Sequence, residues 1–537
     1  MRKGRGLQTG AVVCALAFLL CAAMVAFYLI AGYGAYLDSD MASELALARH
    51  LAGKGALVST TWRYSTEVRV LSTQLVFTPL MALFPGDWRL VRTLGCLILL
   101  ALLSASSYAC ARWMGARRRY ALLFAGLTLC PCSTVYAQMI VIGAYYVPHA
   151  IFTNLLVGLY ARWLRTRSRV NAALLLALAA VLGAQSIRYL LCAVLPLVAA
   201  GAWAYIFPGE ERERLPRTGE DRGAAALALG TLLCGGAGLA IGGRVLGALF
   251  LLGGGYGGQR LTAITAEDVL GLAEDALMWL LRVGGYAEGR LLLSMRGALS
   301  ACSVAVFALA ALLLLRGVRR AKREEKRPER AGLLAALMAF VITLCSFVFL
   351  EGLFLNRYWI PVMTLGAPAL AVALTLEENP ALRRLAALFL ACATLGMAAV
   401  QIRDSMASPE RGAEDFAAAQ ALADSGLTLG YATFWNANVM TELTNGRVEV
   451  VAMRIAEDDA GRGTPVFDVW LEAEENLGKS APQERVFLLL ESAQRQALGD
   501  LLERCGAREE PFDGGLSLLV IDSQRAFLEA IARDEQP

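Results

Sequence analysis

The sequence predicts an all-α polytopic membrane bundle of about eleven transmembrane helices, followed by a small C-terminal α/β domain. Of the 537 residues, 57% are hydrophobic and only 18% are charged. The mean hydropathy is +0.52, and a soluble protein of this size could not bury so much apolar surface. The apolar residues fall in successive runs of membrane-spanning length, and beyond about residue 402 the composition becomes that of a soluble domain.

The apolar runs give the predicted spans, whose limits are accurate to a few residues. They are 11–33, 89–111, 119–137, 146–164, 171–187, 189–207, 224–250, 296–316, 331–350, 359–376 and 385–402. The first run is too long for a signal-peptide core, and no cleavage site follows it. We therefore expect a retained signal-anchor helix.

Lysine and arginine are concentrated in alternate loops, which predicts the orientation of the chain. The basic segments are Arg2-Lys3 with Arg5, 117–119, 162–169, 212–222, 316–330 and Arg383-Arg384. The positive-inside rule places these segments and the N-terminus in the cytoplasm. With an odd number of spans, the loop at 34–88 and the C-terminal tail are expected outside.

The tail predicts an α/β domain over 403–537, because strand-like and helix-like segments alternate along it. The expected strands are 427–433, 447–452, 486–490 and 516–521, and the expected helices are 435–444, 493–504 and 524–533. The tail contains no glycine-rich phosphate loop, nucleophile elbow or metal-ligand spacing. Residues 1–402 form the predicted transmembrane domain.

Several function classes are disfavoured by composition. Nearly all of the twelve cysteines lie in hydrophobic runs, which argues against a disulfide framework. The two histidines, His50 and His149, do not favour a histidine-based metal site. A net charge of +4 gives no indication of nucleic-acid binding.

An acidic motif, Asp38-Ser39-Asp40, follows the first span directly. We expect Met41–Ala52 to form an amphipathic helix with Asp40 as its N-cap and Gly53 after its end. The apolar segment Leu71–Phe84 is short and is expected to be interrupted by Pro79. The carboxylates could act as a general base or bind a divalent cation. Alternatively, they mark only a solvated helix start.

The segment 62–69 mixes aromatic and charged residues. Its aromatic side chains, Trp62 and Tyr64, could stack on a sugar ring, and its charged side chains could bind hydroxyls or phosphate. The charged residues are Arg63, Glu67 and Arg69. The alternative is a loop whose aromatic rings lie at the level of the lipid headgroups.

The arrangement resembles the GT-C superfamily of integral membrane glycosyltransferases, which includes protein O-mannosyltransferases and bacterial aminoarabinose transferases. Three features carry the resemblance over about residues 1–402: Asp38-Ser39-Asp40 after the first span, the segment 71–92 leading to the second, and Arg357-Tyr358-Trp359-Ile360-Pro361 in a late outer loop. The tail resembles the extra outer domains of these enzymes only loosely. The resemblance implies transfer of a sugar from a polyprenyl-phosphate carrier with inversion, in a bacterial cell membrane.

On this hypothesis Asp38 or Asp40, with a slight preference for Asp38, deprotonates the hydroxyl of a glycan, lipid or protein acceptor. Arg357, with Tyr358 and Arg188, holds the lipid phosphate, since guanidinium binds phosphate bidentately. The alternative for each arginine is interface anchoring or lipid-headgroup contact. No cofactor is required, although the acidic pair leaves a divalent cation open.

Two other classes remain as alternatives. A transporter or flippase for a lipid-linked sugar would need polar residues midway through the helices, whereas most polar residues here are expected at the outer face. In a sensor or assembly protein the tail would carry the function and the helices would only anchor it in the membrane. Eleven spans would be a large anchor for such a protein.

Overall fold

The computed structural model describes residues 2–34, 37–65, 67–68, 70–207, 219–252, 260–261, 265–351, 355–407, 413–457, 462–468, 470–476, 484–512 and 515–534. The chain divides into two compact units. The first, here called the helical unit, comprises Met1–Tyr28, Leu97–Leu246 and Tyr256–Asp404. The second, here called the sheet unit, comprises Leu29–Cys96, Gly247–Gly255 and Ser405–Pro537.

Helices account for most of the described chain. In chain order they are α1 (Arg2–Ala31), α2 (Ser39–Lys54), α3 (Gln74–Leu83), α4 (Trp88–Trp113), α5 (Arg118–Leu127), α6 (Thr134–Tyr136), α7 (Val147–Thr166), α8 (Arg169–Gln185), α9 (Ile187–Tyr189), α10 (Leu195–Ile206), α11 (Gly219–Leu249), α12 (Ala266–Val283), α13 (Met295–Arg323), α14 (Arg327–Phe349), α15 (Ile360–Leu376), α16 (Pro380–Ala407), α17 (Ala413–Asp424), α18 (Phe434–Leu443), α19 (Ser492–Ala497), α20 (Gly499–Arg504) and α21 (Gln524–Asp534). Two π-helical turns, Ala137–Ile142 and Leu190–Val194, follow α6 and α9, and a 3₁₀ turn, Asn356–Trp359, precedes α15.

The strands are short and most belong to the tail. They are β1 (Trp62–Tyr64), β2 (Leu251–Leu252), β3 (Arg260–Leu261), β4 (Leu350–Glu351), β5 (Leu429–Thr433), β6 (Glu449–Glu457), β7 (Gly463–Phe467), β8 (Glu472–Ala473), β9 (Val486–Leu490), β10 (Arg508–Glu510) and β11 (Ser517–Ile521). A 3₁₀ turn, Glu474–Asn476, follows β8.

Within the described residues, 8 helices are long and apolar enough to cross a membrane. The number rises to 9 if Thr134–Ile142 and Val147–Thr166, which meet at 82°, form one broken span. The predicted spans at 119–137 and 171–187 contain shorter helices, α5 with 10 residues and α8 with 17. The chain is therefore an integral, multi-pass membrane protein, while the number of eleven spans stays a prediction.

Small residues let two helices of the helical unit approach closely. A Cβ atom added at Gly238 would lie 2.0 Å from the carbonyl oxygen of Ala180, and one at Gly242 would lie 2.1 Å from that of Ala184. Both glycines are on α11, and both alanines are on α8. Contacts of this kind are typical of membrane helices, where packing rather than water drives association. We infer that α8 and α11 are held together along this stripe.

The tail forms the α/β part of the sheet unit, as predicted. Its six strands have the order β10-β11-β9-β5-β6-β7. β5 lies parallel to β6 and β9, and the other neighbours are antiparallel. Leu488 and Leu490 on the central strand β9 pack with Phe527 of α21 in a buried core. The predicted strands and helices all appear, with the predicted helix 493–504 divided into α19 and α20, and α17, β7, β8 and β10 are additional.

The loop after the first span joins the tail in one compact unit. β1 pairs in parallel with β2 and antiparallel with β8, so three distant segments make one small sheet. Beside it, Arg63 Nη2 lies 2.9 Å from Glu474 Oε1, and Lys54 Nζ lies 2.7 Å from Glu475 Oε1. This sheet and its ion pairs fix the loop against the tail.

Two expectations for this loop are wrong in detail. The first helix, α2, runs to Lys54 and ends at Gly55, whose φ of 61° is left-handed, rather than at Gly53. Glycine adopts this conformation without the penalty that a side chain would bring. Pro79 does not interrupt the second segment but lies inside α3.

Candidate active site

The acidic motif forms the first turn of α2. Asp38 is the N-cap, with φ of −127° and ψ of 173°, and its Oδ1 accepts a hydrogen bond from the N–H of Met41 at 2.9 Å. Asp40 is the second residue of the helix, and its backbone carbonyl accepts from Ser43 Oγ at 2.7 Å. The expectation that Asp40 caps the helix is therefore wrong. Both carboxylates are partly exposed, and negative charge there is stabilised by the helix dipole.

A third carboxylate, Glu44, lies one turn after Asp40. The spacing of four residues places the two side chains on the same face of α2. Glu44 is buried, and its Oε2 accepts a hydrogen bond from the Thr73 hydroxyl, just before α3. No role for Glu44 was predicted from the sequence, although its spacing of four residues from Asp40 indicates a shared helix face.

The first turn of α2 is also held by a buried ion pair of the sheet unit. Arg92 Nη2 donates to the backbone carbonyl of Met41 at 2.8 Å and to Glu442 Oε2 at 2.6 Å. The Tyr33 hydroxyl donates to Glu442 Oε1 at 3.3 Å. Met41 is thus bound at its N–H by Asp38 and at its carbonyl by Arg92. The pair of Arg92 and Glu442 was not predicted from the sequence, where its only signal is a charged residue near the start of the second span.

Trp62 and Tyr64 are buried on β1, where their side chains are 2% and 3% exposed. The ring of Trp62 lies 5.6 Å from that of His50, and the Tyr64 oxygen accepts from the Ser59 N–H at 3.0 Å. This packing does not favour stacking on a sugar, and the binding role stays a prediction. Of the charged residues of this segment, Arg63 forms an ion pair with Glu474, and Glu67 is buried. Arg69 lies outside the described residues.

In the helical unit the two predicted arginines are brought together by tyrosines. Arg357 Nη1 donates to the Tyr145 hydroxyl at 3.1 Å. The guanidinium of Arg188 lies 5.1 Å from the ring centre of Tyr358 and 3.5 Å from the Tyr146 hydroxyl. The rings of Tyr145 and Tyr146 are themselves 5.3 Å apart. We call these five residues the arginine–tyrosine cluster.

The local fold explains how this cluster is positioned. Tyr145 and Tyr146 lie between the π-turn 137–142 and α7, at the 82° bend of the chain. Arg357 and Tyr358 lie in the 3₁₀ turn before α15. Trp359 is fully buried, and its Nε1 donates to the Ala276 carbonyl at 2.9 Å. This anchor fixes the backbone that carries Arg357.

His149 packs beside the cluster. Its ring stacks on Tyr189 with a centroid distance of 4.8 Å and an angle of 8°, and the ring of Tyr146 is 5.4 Å away. This aromatic stack gives His149 a packing role. Tyr145 and Tyr146 were not predicted, since nothing in an apolar run distinguishes a tyrosine that contacts arginine.

The arrangement offers two kinds of chemistry. The cluster presents two permanently charged guanidinium groups with hydroxyls around them, which suits a phosphate or phosphodiester. The first turn of α2 offers carboxylates that could accept a proton. Among the described residues, no three or more His, Cys, Asp or Glu side chains form a group that could hold a metal ion.

Comparison with solved structures identifies the fold. The structure of ArnT from Cupriavidus metallidurans in the apo state matches with a TM-score of 0.55 and 14% identity, covering 96% of this chain and 98% of that one. The same protein bound to undecaprenyl phosphate matches with a TM-score of 0.54 and 13% identity, covering 94% and 97%. This chain has the ArnT fold.

The ArnT fold extends over nearly the full length of both chains, including the sheet-containing tail. ArnT is a GT-C aminoarabinose transferase, so the resemblance stated from the sequence is confirmed at the level of the fold. No family model matches the sequence, and no curated protein matches it either. The similarity is thus visible in the three-dimensional arrangement and not in a sequence alignment with a known family.

Proposed function

We propose that this protein is a membrane glycosyltransferase that transfers a sugar from a polyprenyl-phosphate carrier to an acceptor hydroxyl with inversion. The observation that carries the proposal is the full-length ArnT fold, which includes a match to ArnT bound to undecaprenyl phosphate. The arginine–tyrosine cluster supports it, because its two guanidinium groups are of a kind suited to a lipid phosphate. The sugar is a hexose or pentose, and the acceptor a glycan, lipid or protein.

In the proposed reaction the arginines act on the leaving group. As the bond between the anomeric carbon and the phosphate oxygen breaks, the electron pair leaves with the polyprenyl phosphate. Arg357 and Arg188 stabilise that charge, and such stabilisation is strongest where water is excluded. Tyr145 and Tyr146 orient the two guanidinium groups through their hydroxyls.

A carboxylate of the acidic motif accepts the proton of the attacking hydroxyl, while the acceptor oxygen forms the new bond to the anomeric carbon. The hydrogen bond of Asp38 bears on the choice between the two candidates. Asp38 Oδ1 holds the N–H of Met41, and a carboxylate stabilised by a backbone N–H is a weaker base. We therefore place the base role on Asp40 and a capping role on Asp38.

The test is transfer by purified protein in detergent. Undecaprenyl-phosphate-linked mannose and aminoarabinose are supplied with a bacterial envelope extract, and release of undecaprenyl phosphate is measured. We expect release with at least one donor and a product of inverted anomeric configuration. A flippase would bind the donor but release nothing, since micelles have no compartments. Retention of configuration would also contradict the proposal.

We infer from the basic loops that the N-terminus is cytoplasmic and that residues 403–537 are extracytoplasmic. A protease-cleavable tag after Pro537 should then be removed from spheroplasts by added protease. The same tag at Met1 should be removed only after the membrane is permeabilised. Removal of both tags, or of the N-terminal tag alone, would contradict this orientation.

A further inference from the structure

A second charged cavity lies in the helical unit, formed by residues other than those of the arginine–tyrosine cluster. Its volume is about 590 Å³, within the range of ligand sites. It is bounded by the end of α4, the end of α7 and the starts of α11 and α14. It is lined by five cationic residues and three carboxylates. The cationic residues are Arg112, Arg165, Arg167, Lys326 and Arg327, and the carboxylates are Glu220, Glu325 and Glu329.

The carboxylates that line the cavity do not neutralise all of its cationic residues. The Glu220 carboxylate accepts a hydrogen bond from Arg327 at 2.6 Å and also lies 3.7 Å from the Arg167 guanidinium, so it forms ion pairs with two arginines. Among the described residues, the guanidinium of Arg112 forms no ion pair and donates only to the Ala116 carbonyl. Arg165 also pairs with Glu329, Lys326 with Glu324 and Arg327 with Asp221. The five cationic residues that line the cavity still outnumber its three lining carboxylates.

A smaller cavity of about 70 Å³ adjoins the first and shares Leu164, Glu325 and Arg327 with it. Its wall includes Arg330, which is only 8% exposed. Arg330 donates to the Phe207 carbonyl. Within the part of the chain that the structure describes, its Nε has no hydrogen-bond partner and its guanidinium contacts no carboxylate. Burying an uncompensated cation costs several kcal/mol, so a counter-charge is expected at this position.

We propose that these adjoining cavities form an anion site that binds a phosphate group, carried either by a lipid headgroup or by a free phosphate compound. Arginine guanidinium matches phosphate oxygens bidentately. Basic pockets between membrane helices are also known to hold anionic headgroups. The smaller cavity adds an apolar wall of Leu164, Ala204 and Ala331, which suits the glycerol and acyl part of a lipid.

The experiment measures the melting temperature of the full-length, delipidated protein. It is reconstituted in phosphatidylcholine discs with and without phosphatidylglycerol, and inorganic phosphate is titrated in a separate arm. We expect saturable stabilisation of the wild type by at least one phosphate source. The apparent affinity should fall at least about tenfold in Arg330→Gln and in Arg112→Gln, since each loses a charged hydrogen-bond donor. Arg384→Gln, at an exposed arginine outside the cavity, should behave as wild type.

The two arms identify the source. Stabilisation by phosphatidylglycerol but not by inorganic phosphate indicates a headgroup, and stabilisation by both indicates a free phosphate compound. In phosphatidylcholine alone, Arg330→Gln should melt no lower than the wild type, because the variant removes an uncompensated charge. An equal response of the wild type and both cavity variants, or no response at all, would overturn the proposal. If Arg330→Gln does not fold, Arg112→Gln carries the same comparison.

Discussion

Arg92 and Glu442 lie 350 residues apart in the sequence, and their side chains form a buried ion pair that is 1% and 0% exposed. Arg92 donates through Nε and Nη2 to the two oxygens of the carboxylate, and Nη2 also donates to the Met41 carbonyl. The pair thus links the tail to the turn of α2 that carries the acidic motif. Its loss should affect both stability and catalysis.

Removing one partner of this pair should be more harmful than removing both. Arg92→Met or Glu442→Met alone leaves the charge of the other residue buried and uncompensated, which typically costs about 3–5 kcal/mol. The double variant Arg92→Met with Glu442→Met should lose less than the sum, since neither charge remains. Thermal unfolding of the four proteins in one detergent completes the cycle. Strict additivity would show that the two side chains do not interact.

The acidic motif should separate into a capping residue and a base. Asp38→Ala should lower the stability of α2 by about 1 kcal/mol, whereas Asp38→Asn should not, because asparagine is also a good N-cap. Asp40→Asn should keep stability but lower the transfer rate by about a hundredfold to ten-thousandfold. Sugar transfer and melting temperature are measured for each variant.

The control for this comparison is Ser43→Ala, which removes the hydroxyl that donates to the Asp40 carbonyl and leaves both carboxylates in place. It should retain most of the transfer activity. If Asp38→Asn loses activity while Asp40→Asn does not, the roles of the two aspartates are exchanged. If both turn over like wild type, the acidic motif is not the base.

The arginine–tyrosine cluster should bind phosphate through geometry as well as charge. Arg357→Lys keeps the charge but loses the planar pair of donors, so undecaprenyl phosphate should bind about tenfold more weakly. Tyr145→Phe removes only the hydroxyl that accepts from Arg357 and should weaken binding by a few-fold. Binding is followed with fluorescent undecaprenyl phosphate, and Arg384→Lys is the matched control. Wild-type affinity in Arg357→Lys would place this arginine outside the donor site.

Glu472 should make the stability of the sheet unit depend on pH. Burial raises the pKa of this carboxyl to about 7, with Glu449 adding to the effect, although hydrogen bonds from the Ala473 N–H and the Asn476 amide oppose it. The unfolded carboxyl has a pKa of about 4.3, so between these values the folded state binds more protons. Stability should therefore fall as the pH rises from about 4.5 to about 7.

Glu472→Gln should remove that part of the pH dependence and stabilise the protein above pH 7 by roughly 1–3 kcal/mol. Melting temperatures between pH 5 and pH 8 give the measurement. Glu475, whose pKa is about 2 because hydrogen bonds from Lys54 and Thr61 outweigh its partial burial, is the control, since Glu475→Gln should leave this window unchanged. An unaltered pH profile in Glu472→Gln would contradict the assignment.

The tail was predictable because its strands alternate with helices and are bounded by polar turns, so Val486–Leu490 is located to the residue. The N-cap of α2 was not predictable, because Asp38 and Asp40 are chemically equal candidates and only the backbone conformation distinguishes them. Arg92 and Glu442 could not be paired, since no local pattern joins residues so far apart. The bend that presents Tyr145 and Tyr146 depends on a π-turn, which has no clear sequence signature.

The small sheet made by β1, β2 and β8 has a consequence for biosynthesis. Trp62 pairs with Ala473, yet a ribosome adding about 5–20 residues per second takes roughly 20–80 seconds to travel from one to the other. During that interval the aromatic side chains of β1 have been synthesised without their partner strand. A nascent chain that stops before β8 lacks the strand that pairs with them, so it presents a persistent binding site for chaperones and a target for quality-control proteases.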